Sequence, residues 1–372
     1  MELPALAGWT VGVTADRRRE EQAELLGRRG AKVLHGPTVH TLPVELGDGL
    51  EAATAALIER PPDIVVLHTG LGTRAWFAAA ESVGQGGPLL AALQRATAIA
   101  RGPKAAGAAV TVGLSVDWQA PGETSAEIVE HLRARPAGLA GVRIAVQRDG
   151  APEAYLARAL AASGADVVDV PVYRWKLPDD REPASRLVQA VVDRRVDAVT
   201  FTSSPGVDGF LGLADQAGLG EAVLAGLNDG VAAVCVGPVC SARARRAGIH
   251  APVEPGRARL GAMVQALVRE ARRHRRELVV GHRRAVLQGS LLAVGPHHIE
   301  LTGRERGLVQ ELAARPGAVV AKGELLRRVW GHDHGDPHVV EVAVARLRSR
   351  LDGVGLALEA VPKRGYRLVP AA

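Results

Sequence analysis

The sequence predicts an α/β protein: a two-lobed body of parallel sheets with flanking helices, then a smaller domain of three helices and a closing β-hairpin. Three observations carry that expectation. Residues 1–268 contain a repeat of long period, each copy alternates strand and helix, and the excess positive charge is confined to the last quarter of the chain.

The repeat comes first. "GAKVLHGPTV" (Gly30–Val39) recurs as "GADVVDVPVY" (Gly164–Tyr173). "DIVVLHTGLGTRAWF" (Asp63–Phe77) recurs as "DAVTFTSSPGVDGF" (Asp197–Phe210) at the same offset, and Gly102-Pro103 recurs as Gly237-Pro238, one position further on. Each copy opens with a β-branched run, "WTVGVT" or "VRIAVQ", that reads as a buried strand. A charged loop follows, then an amphipathic helix such as "EEQAELLGRRG" or "EAYLARALAASG". Gly30 and Gly164 suit the C-terminal caps of those helices. Such alternation argues for parallel sheets covered by helices on both faces.

Ligands of such sheets sit at the carboxyl ends of the strands. Those ends are Thr14–Arg17, Thr69–Thr73 and Gly102–Lys104 in one copy, and Arg148–Gly150, Thr202–Gly206 and Gly237–Ser241 in the other. The candidate ligand-binding residues are therefore Thr14, Arg17, Thr69, Gly70, Arg148, Thr202, Ser203, Ser204, Gly237 and Ser241. Small residues and hydroxyls let backbone N–H groups at helix N-termini approach an anion. The same residue types also shape ordinary turns. "HTGLGTR" lacks the third glycine of a dinucleotide fingerprint, and no cofactor is expected.

Composition bounds the rest. Aromatic residues make up only 3% of the chain, so the core must be aliphatic. No apolar run reaches about 18 residues, so no membrane span is expected. The start lacks a basic segment followed by a long apolar one, so no signal peptide is expected. The two cysteines, Cys235 and Cys240, read as a small core residue and a turn residue. So few in a chain this long point to a reducing, cytoplasmic setting.

Charge divides the chain. Residues 1–274 carry 30 Lys and Arg against 30 Asp and Glu, and residues 275–372 carry 16 against 10. A neutral body is joined to a module that meets a polyanion. The stretch 269–284, with seven arginines against two glutamates, reads as a basic linker.

From Ala285 onward, "AVLQGSLLAVGPHHIELT" alternates and is broken by Gly and Pro, which suggests short antiparallel strands. Thr302 with Glu305 forms a capping box for a first helix that Pro316-Gly317 stops. "AKGELLRRVWG" is a second helix, closed by Gly331, and "HVVEVAVARLRSRL" a third. "LALEAVPKRGYRLV" is a hairpin turning at Lys363-Arg364-Gly365. This is a winged helix-turn-helix. On the third helix Val340, Val344, Leu347 and Leu351 fall on one stripe, the buried face. The opposite face carries His338, Val342, Ala345, Arg346 and Ser349, small enough for a major groove, with an arginine for guanine and an apolar group for a thymine methyl. Arg348 and Arg350 are placed for phosphate, and Lys363 and Arg364 at the wing for backbone or minor groove. Double-stranded DNA is the expected partner. His332, His334 and His338 sit in a polar loop, and no metal is expected there.

Two resemblances add to this reading. Through "VGVTADRRREEQAELLGRRGAKVLHGPTV", "VPVYRW", "DAVTFTSSPGVDGF" and "VCVGPVCSARARRAGI", residues 9–268 resemble uroporphyrinogen-III synthase, which closes hydroxymethylbilane with inversion of one ring. The resemblance implies lobe one from 1–40 plus 173–268 and lobe two from 41–172. It implies Tyr173 as proton donor to the leaving hydroxyl, and Ser203 and Ser204 as contacts for tetrapyrrole carboxylates. Two loops depart from the family pattern: Ala15 and Asp16 intervene before Arg17, and Gly237-Pro238-Val239-Cys240-Ser241-Ala242 replaces a Gly-Pro-Thr-Thr-Ala run. Through "LTGRERGLVQELAARPGAVVAKGELLRRVWG", "VVEVAVARLRSRLD" and "VPKRGYRL", residues 285–370 of the winged-helix domain (285–372) resemble the OmpR/PhoB-type DNA-binding domain of response regulators. That implies the third helix in the major groove, the wing in the minor groove, and a homodimer on repeated sites.

The expected function is a DNA-binding transcriptional regulator whose body senses a tetrapyrrole or another small anion, or contacts another transcription regulator, with a link to nitrite and sulfite assimilation. The alternative is an active or bifunctional uroporphyrinogen-III synthase with a DNA-binding appendage.

Overall fold

The computed structural model describes residues 3–43, 49–148, 155–315, 317–331 and 336–371, without the side chains of residues 41, 43, 173 and 174. The chain forms two compact units, residues 1–38 with 178–372, and residues 39–177.

Lobe one opens with β1 (Thr10–Val13), α1 (Arg19–Gly27) and β2 (Lys32–His35). The chain then leaves through β3 (His40–Pro43). Lobe two follows as α2 (Leu50–Glu59), β4 (Ile64–Leu67), α3 (Gly70–Ser82), α4 (Gly86–Leu93), β5 (Thr97–Ala100), α5 (Pro103–Thr111), β6 (Trp118–Gln119), α6 (Ser125–Arg133), β7 (Arg143–Gln147), α7 (Tyr155–Ala161) and β8 (Asp166–Val170). The return strand β9 (Tyr173–Lys176) pairs antiparallel with β3. Lobe one is completed by α8 (Glu182–Val192), β10 (Ala198–Phe201), α9 (Ser204–Gln216), α10 (Gly220–Asn228), β11 (Ala232–Cys235), α11 (Pro238–Arg246) and α12 (Leu260–His274).

Both lobes hold parallel sheets, in the orders β11-β10-β1-β2 and β6-β5-β4-β7-β8. The duplication explains them. α3 starts at Gly70 and α9 at its repeat equivalent, Ser204, and both run 13 residues. The repeat maps β4 and β5 onto β10 and β11, and β7 and β8 onto β1 and β2. The lobe-one sheet therefore takes two strands from each copy, and the lobe-two sheet takes the equivalent four in the same order with β6 added at its edge. Central strands β4 (IVVL) and β10 (AVTF) are buried at every position, as a strand covered on both faces requires. Gly30 and Gly164 close α1 and α7 as expected. Each has φ near +90°, and the next N–H bonds back to the carbonyl of Leu26 or Leu160 at 3.2 and 3.3 Å.

The last domain begins with a four-stranded antiparallel meander, β12 (Arg276–Val280), β13 (Arg283–Gln288), β14 (Leu291–Val294) and β15 (His297–Glu300). Then come α13 (Gly303–Ala313), α14 (Lys322–Trp330), α15 (His338–Leu351), one 3-10 turn (Asp352–Val354), and the hairpin β16 (Leu356–Val361) and β17 (Gly365–Pro370). Thr302 and Glu305 form the capping box of α13. One apolar cluster joins the meander (Leu278, Val280, Leu287, Leu292) to the α15 stripe of Val340, Val344, Leu347 and Leu351. Gly365 must be glycine: its φ is +134°, and a Cβ would lie 2.0 Å from the Val320 carbonyl oxygen. That approach lets Val320 and Tyr366 exchange backbone hydrogen bonds at 2.8 and 3.0 Å.

One expectation is corrected. Residues 269–284 are not a linker. α12 runs to His274, and Arg275 alone separates it from β12. Leu278 and Val280 point into the core between exposed Glu277 and Val279. Arginines at the start of β12 and β13 obscured this two-residue alternation, because their side chains sit outside while their backbone joins the ladder.

Leu347 is fully buried in the shared cluster. Leu347→Ala should therefore destabilise the last domain by about 3 kcal/mol, read as a lowered urea midpoint for that domain with the transition of lobe two unchanged.

Candidate nucleic-acid interface and ligand loops

With Val340, Val344, Leu347 and Leu351 turned inward, α15 presents His338, Glu341, Val342, Ala345, Arg346 and Ser349 to solvent. Val342 is 38% exposed, a large apolar side chain left in water. Arg346 is exposed, and among the described residues its side chain forms no ion pair. The helix start is ordered by Asp336, whose carboxylate accepts the His338 N–H at 2.8 Å. Glu341 accepts from Lys322 and from His338 Nδ1. The Lys322 hydrogen bond first, and then that of His338, hold its carboxyl below the usual carboxylate range. Above that range Glu341 is therefore an ion paired by neighbouring donors, and the pairing is lost as pH falls through its lowered pKa.

A groove of about 370 Å³ runs beside this face, lined by Thr302, Arg304, Trp330, His338, Val342 and Arg346. Arg304 lies over the Trp330 ring, 5.4 Å from its centroid, and donates to the Val329 carbonyl. Sequence reasoning missed Arg304, Trp330 and Lys322. They lie on α13 and α14, whose patterns signal only helix, and only packing brings them beside α15.

Two arginines expected at phosphate are engaged within the domain. Arg348 Nε donates to the Leu358 carbonyl at 2.9 Å, fastening α15 to β16. Arg350 bonds Glu305 Oε2 at 2.7 Å and the Glu300 carbonyl. Glu305 is 5% exposed, so this pair is a structural strut rather than a free cation. Lys363 and Arg364 stand exposed at the wing, with Lys363 in a left-handed conformation, φ +60°.

In lobe one the strand ends form a hydroxyl-rich corner. Ser203 caps α9, accepting the Gly206 N–H at 3.2 Å. Thr38, which the sequence did not single out, donates to the Gly206 carbonyl at 2.8 Å. Thr14 is 1% exposed, and its hydroxyl donates to the Thr200 carbonyl at 2.7 Å, so it braces β1 against β10 rather than facing a ligand. Ser241 is fully buried in the first turn of α11, with its hydroxyl beside the Cys235 sulfur. Gly237 fits against Ala258, where a Cβ would come within 2.7 Å. Arg17 is exposed, Thr202 is half-buried, and half-buried Ser204 lies 3.5 Å from the Val239 carbonyl. Cys235 and Cys240 are both buried, so Cys240 is a packed helix residue, not a turn residue. Their contact lowers the Cys235 thiol pKa and raises that of Cys240, which burial pushes further up.

In lobe two Gln147 ties the corner together. Its Oε1 accepts the N–H groups of His68 and Thr69 at 3.1 and 2.9 Å, and its Nε2 donates to Thr73 at 3.2 Å. Thr69 caps α3 through the Gly72 N–H at 3.0 Å. Gly70 is pressed on the Lys104 carbonyl oxygen, 2.3 Å from where a Cβ would sit. Arg148 is paired with Asp169. Tyr173 opens β9 opposite Pro43, and its side chain lies outside the described residues, as do Gly150, His332 and His334. Among the described residues no group of His, Cys, Asp and Glu could hold a metal ion, and no helix is long and apolar enough to cross a membrane.

These geometries agree with what the chain is similar to. The family described as uroporphyrinogen-III synthase HemD matches residues 20–265. The chain belongs to that family. A second family, described as transcriptional regulatory protein, C terminal, matches residues 296–368. The HemD-like body thus carries a winged-helix DNA-binding domain of the OmpR/PhoB type. The solved uroporphyrinogen III synthase of the extremely thermophilic bacterium Thermus thermophilus, in a mutant form, is 28% identical and covers 71% of this chain and 99% of its own, with a TM-score of 0.58. An uncharacterized Bacillus subtilis protein, YjjA, is 26% identical over 264 residues, 71% of this chain and 96% of that one. The transcriptional regulatory protein AfsQ1 of Streptomyces coelicolor is 40% identical over 76 residues, 19% of this chain. The present chain spans 34% of that regulator's length.

Arg346 and Arg348 separate binding from folding. Arg348→Ala should lower stability by about 1 kcal/mol through the lost wing contact, while Arg346→Ala should leave the melting temperature unchanged. A calorimetric scan of both variants checks this.

Proposed function

We propose that this protein is a transcription regulator that binds promoter DNA through α15 and the wing, and whose HemD-like body senses a small anion. The observation that supports this best is the outward face of α15: exposed Val342, and an Arg346 side chain that forms no ion pair among the described residues, lie beside a groove, on a helix whose Arg348 and Arg350 are engaged within the domain. A helix with that face fits the major groove, where an arginine reads guanine and an apolar group meets a thymine methyl. His338, Ala345 and Ser349 complete the reading edge, and Lys363 and Arg364 take the backbone or minor groove. Binding as a homodimer on repeated half-sites fits the domain type.

The ligand reading rests on Arg17, Thr202, Ser204 and the capped N-terminus of α9 in lobe one. These offer one cation, hydroxyls and backbone donors, the equipment for a carboxylate or phosphate. A tetrapyrrole, which is rich in carboxylates, is the leading class. Through sirohaem such a ligand ties control to nitrite and sulfite reduction. A partner regulator bound by the body would serve the same control without a small ligand.

The second reading, an active or bifunctional uroporphyrinogen-III synthase, is favoured by the family match along the body and by Tyr173 at the head of β9. Against it stand Thr14 and Ser241, hydroxyls at strand ends that the core has absorbed.

Two experiments test these readings. In a salt titration of the full chain on promoter fragments, Arg346→Ala should lose about 1–3 kcal/mol of specific over non-specific binding, and Lys363→Ala should lower the salt slope by about 1. No salt-dependent DNA binding by the full chain would sink the regulator reading. With hydroxymethylbilane the full chain should give no type III product above the spontaneous background. Enzymatic type III product that disappears in Tyr173→Phe would establish the second reading instead.

A further inference from the structure

The winged helix and lobe one belong to one compact unit, and the surface joining them is closely fitted. Gly8 and Gly289 meet backbone to backbone. Their φ angles are +76° and +55°. A Cβ on Gly8 would lie 2.3 Å from the Gln288 carbonyl oxygen, and one on Gly289 would lie 2.3 Å from the Gly8 carbonyl oxygen. The Gly8 carbonyl accepts both the Ser290 N–H, at 2.8 Å, and the Ser290 hydroxyl, at 2.9 Å. Gln288 is 4% exposed, and its amide donates to the carbonyls of Pro4 and Ala7 at 2.9 and 3.0 Å. Leu6 and Trp9, in the same segment, are packed in the core of lobe one. One short stretch of chain is thus core to lobe one and hydrogen-bonding partner to the β13–β14 turn.

An ion pair forms the second contact. Asp197, the residue before β10, accepts the Thr10 N–H at 2.8 Å with one oxygen and Arg306 at 2.5 Å with the other. The two charged side chains are only 12% and 23% exposed, so the pair is well shielded from solvent. Arg306 sits in the first turns of α13. Arg304, two residues earlier and about 200° around the helix, lines the groove beside α15. One helix therefore faces the reading groove with one arginine and lobe one with the other. β10 starts beside this ion pair and ends at Phe201, just before Thr202 and Ser203.

We propose that this glycine-lined interface and its Asp197–Arg306 pair are a coupling surface, which makes lobe one part of the DNA-binding unit. DNA engaged at the groove then acts on β1 and β10 through α13, and by reciprocity anything that reshapes β10 acts back on DNA affinity. The domain is not tethered by a flexible arm, since one residue separates α12 from β12. Coupling requires only that the interface stay closed.

Amide hydrogen exchange on the full chain, with and without sheared mixed-sequence duplex DNA at low salt, tests this. In the wild type, DNA should slow exchange by about tenfold in α15, at Ser290, and at Thr10 and the β10 amides. In Gly289→Val the interface cannot close; slowing at Ser290, Thr10 and β10 should vanish while slowing in α15 remains. Arg306→Gln removes a single ion pair and carries the test if the glycine variant does not fold; it should abolish the slowing at Thr10 and β10 alone. Slowing confined to α15 in the wild type overturns the proposal. So does slowing in β10 that persists undiminished in Arg306→Gln.

Discussion

The burial of one stripe on α15 governs how this protein can meet DNA. Val340, Val344, Leu347 and Leu351 leave water together, and at 3.6 residues per turn that choice fixes which side chains stay outside. At about 1.5–3 kcal/mol for each buried aliphatic side chain, no alternative rotation of the helix competes. Arg348 and Arg350 lie at the margins of the stripe and are drawn into contacts with Leu358, Glu305 and Glu300. Arg346 lies in the middle of the outer face, and its side chain forms no ion pair among the described residues. An outward face free of core contacts thus emerges from packing alone.

The body obeys a different constraint, the exchange of strands between two copies of one unit. Because the lobe-one sheet takes two strands from each repeat, that lobe closes only after the chain has gone out through β3 and returned through β9. Loops at matching positions therefore recur as matching corners. Thr69 and Ser203, equivalent positions of the two copies, are both N-caps. The corners then diverge. In lobe two Gln147 occupies the backbone donors of His68 and Thr69, while in lobe one hydroxyls of Thr14, Thr38 and Ser203 crowd Gly206. Part of the polar equipment at these strand ends therefore serves as internal bracing.

Much was legible in the residues alone. The internal repeat, the alternation of strand and helix, the caps at Gly30, Gly164 and Thr302, and the buried stripe of α15 all follow from local rules of spacing and turn chemistry. The sequence by itself determined the element types, the family of the body, the winged helix, and the outward face that includes His338, Val342 and Arg346. Tertiary structure decided the rest. Alternation at Leu278 and Val280 was hidden among arginines, so β12 was missed and a linker expected in its place. Thr14, Ser241 and Cys240 have the composition of site or turn residues, but their burial depends on neighbours far along the chain. Arg348 and Arg350 look like phosphate contacts until Leu358, Glu305 and Glu300 are seen to hold them. Asp197 and Arg306 are 109 residues apart, and no pattern along the chain announces that they meet. Spacing reveals which face a residue occupies; only the folded chain reveals what occupies the space opposite.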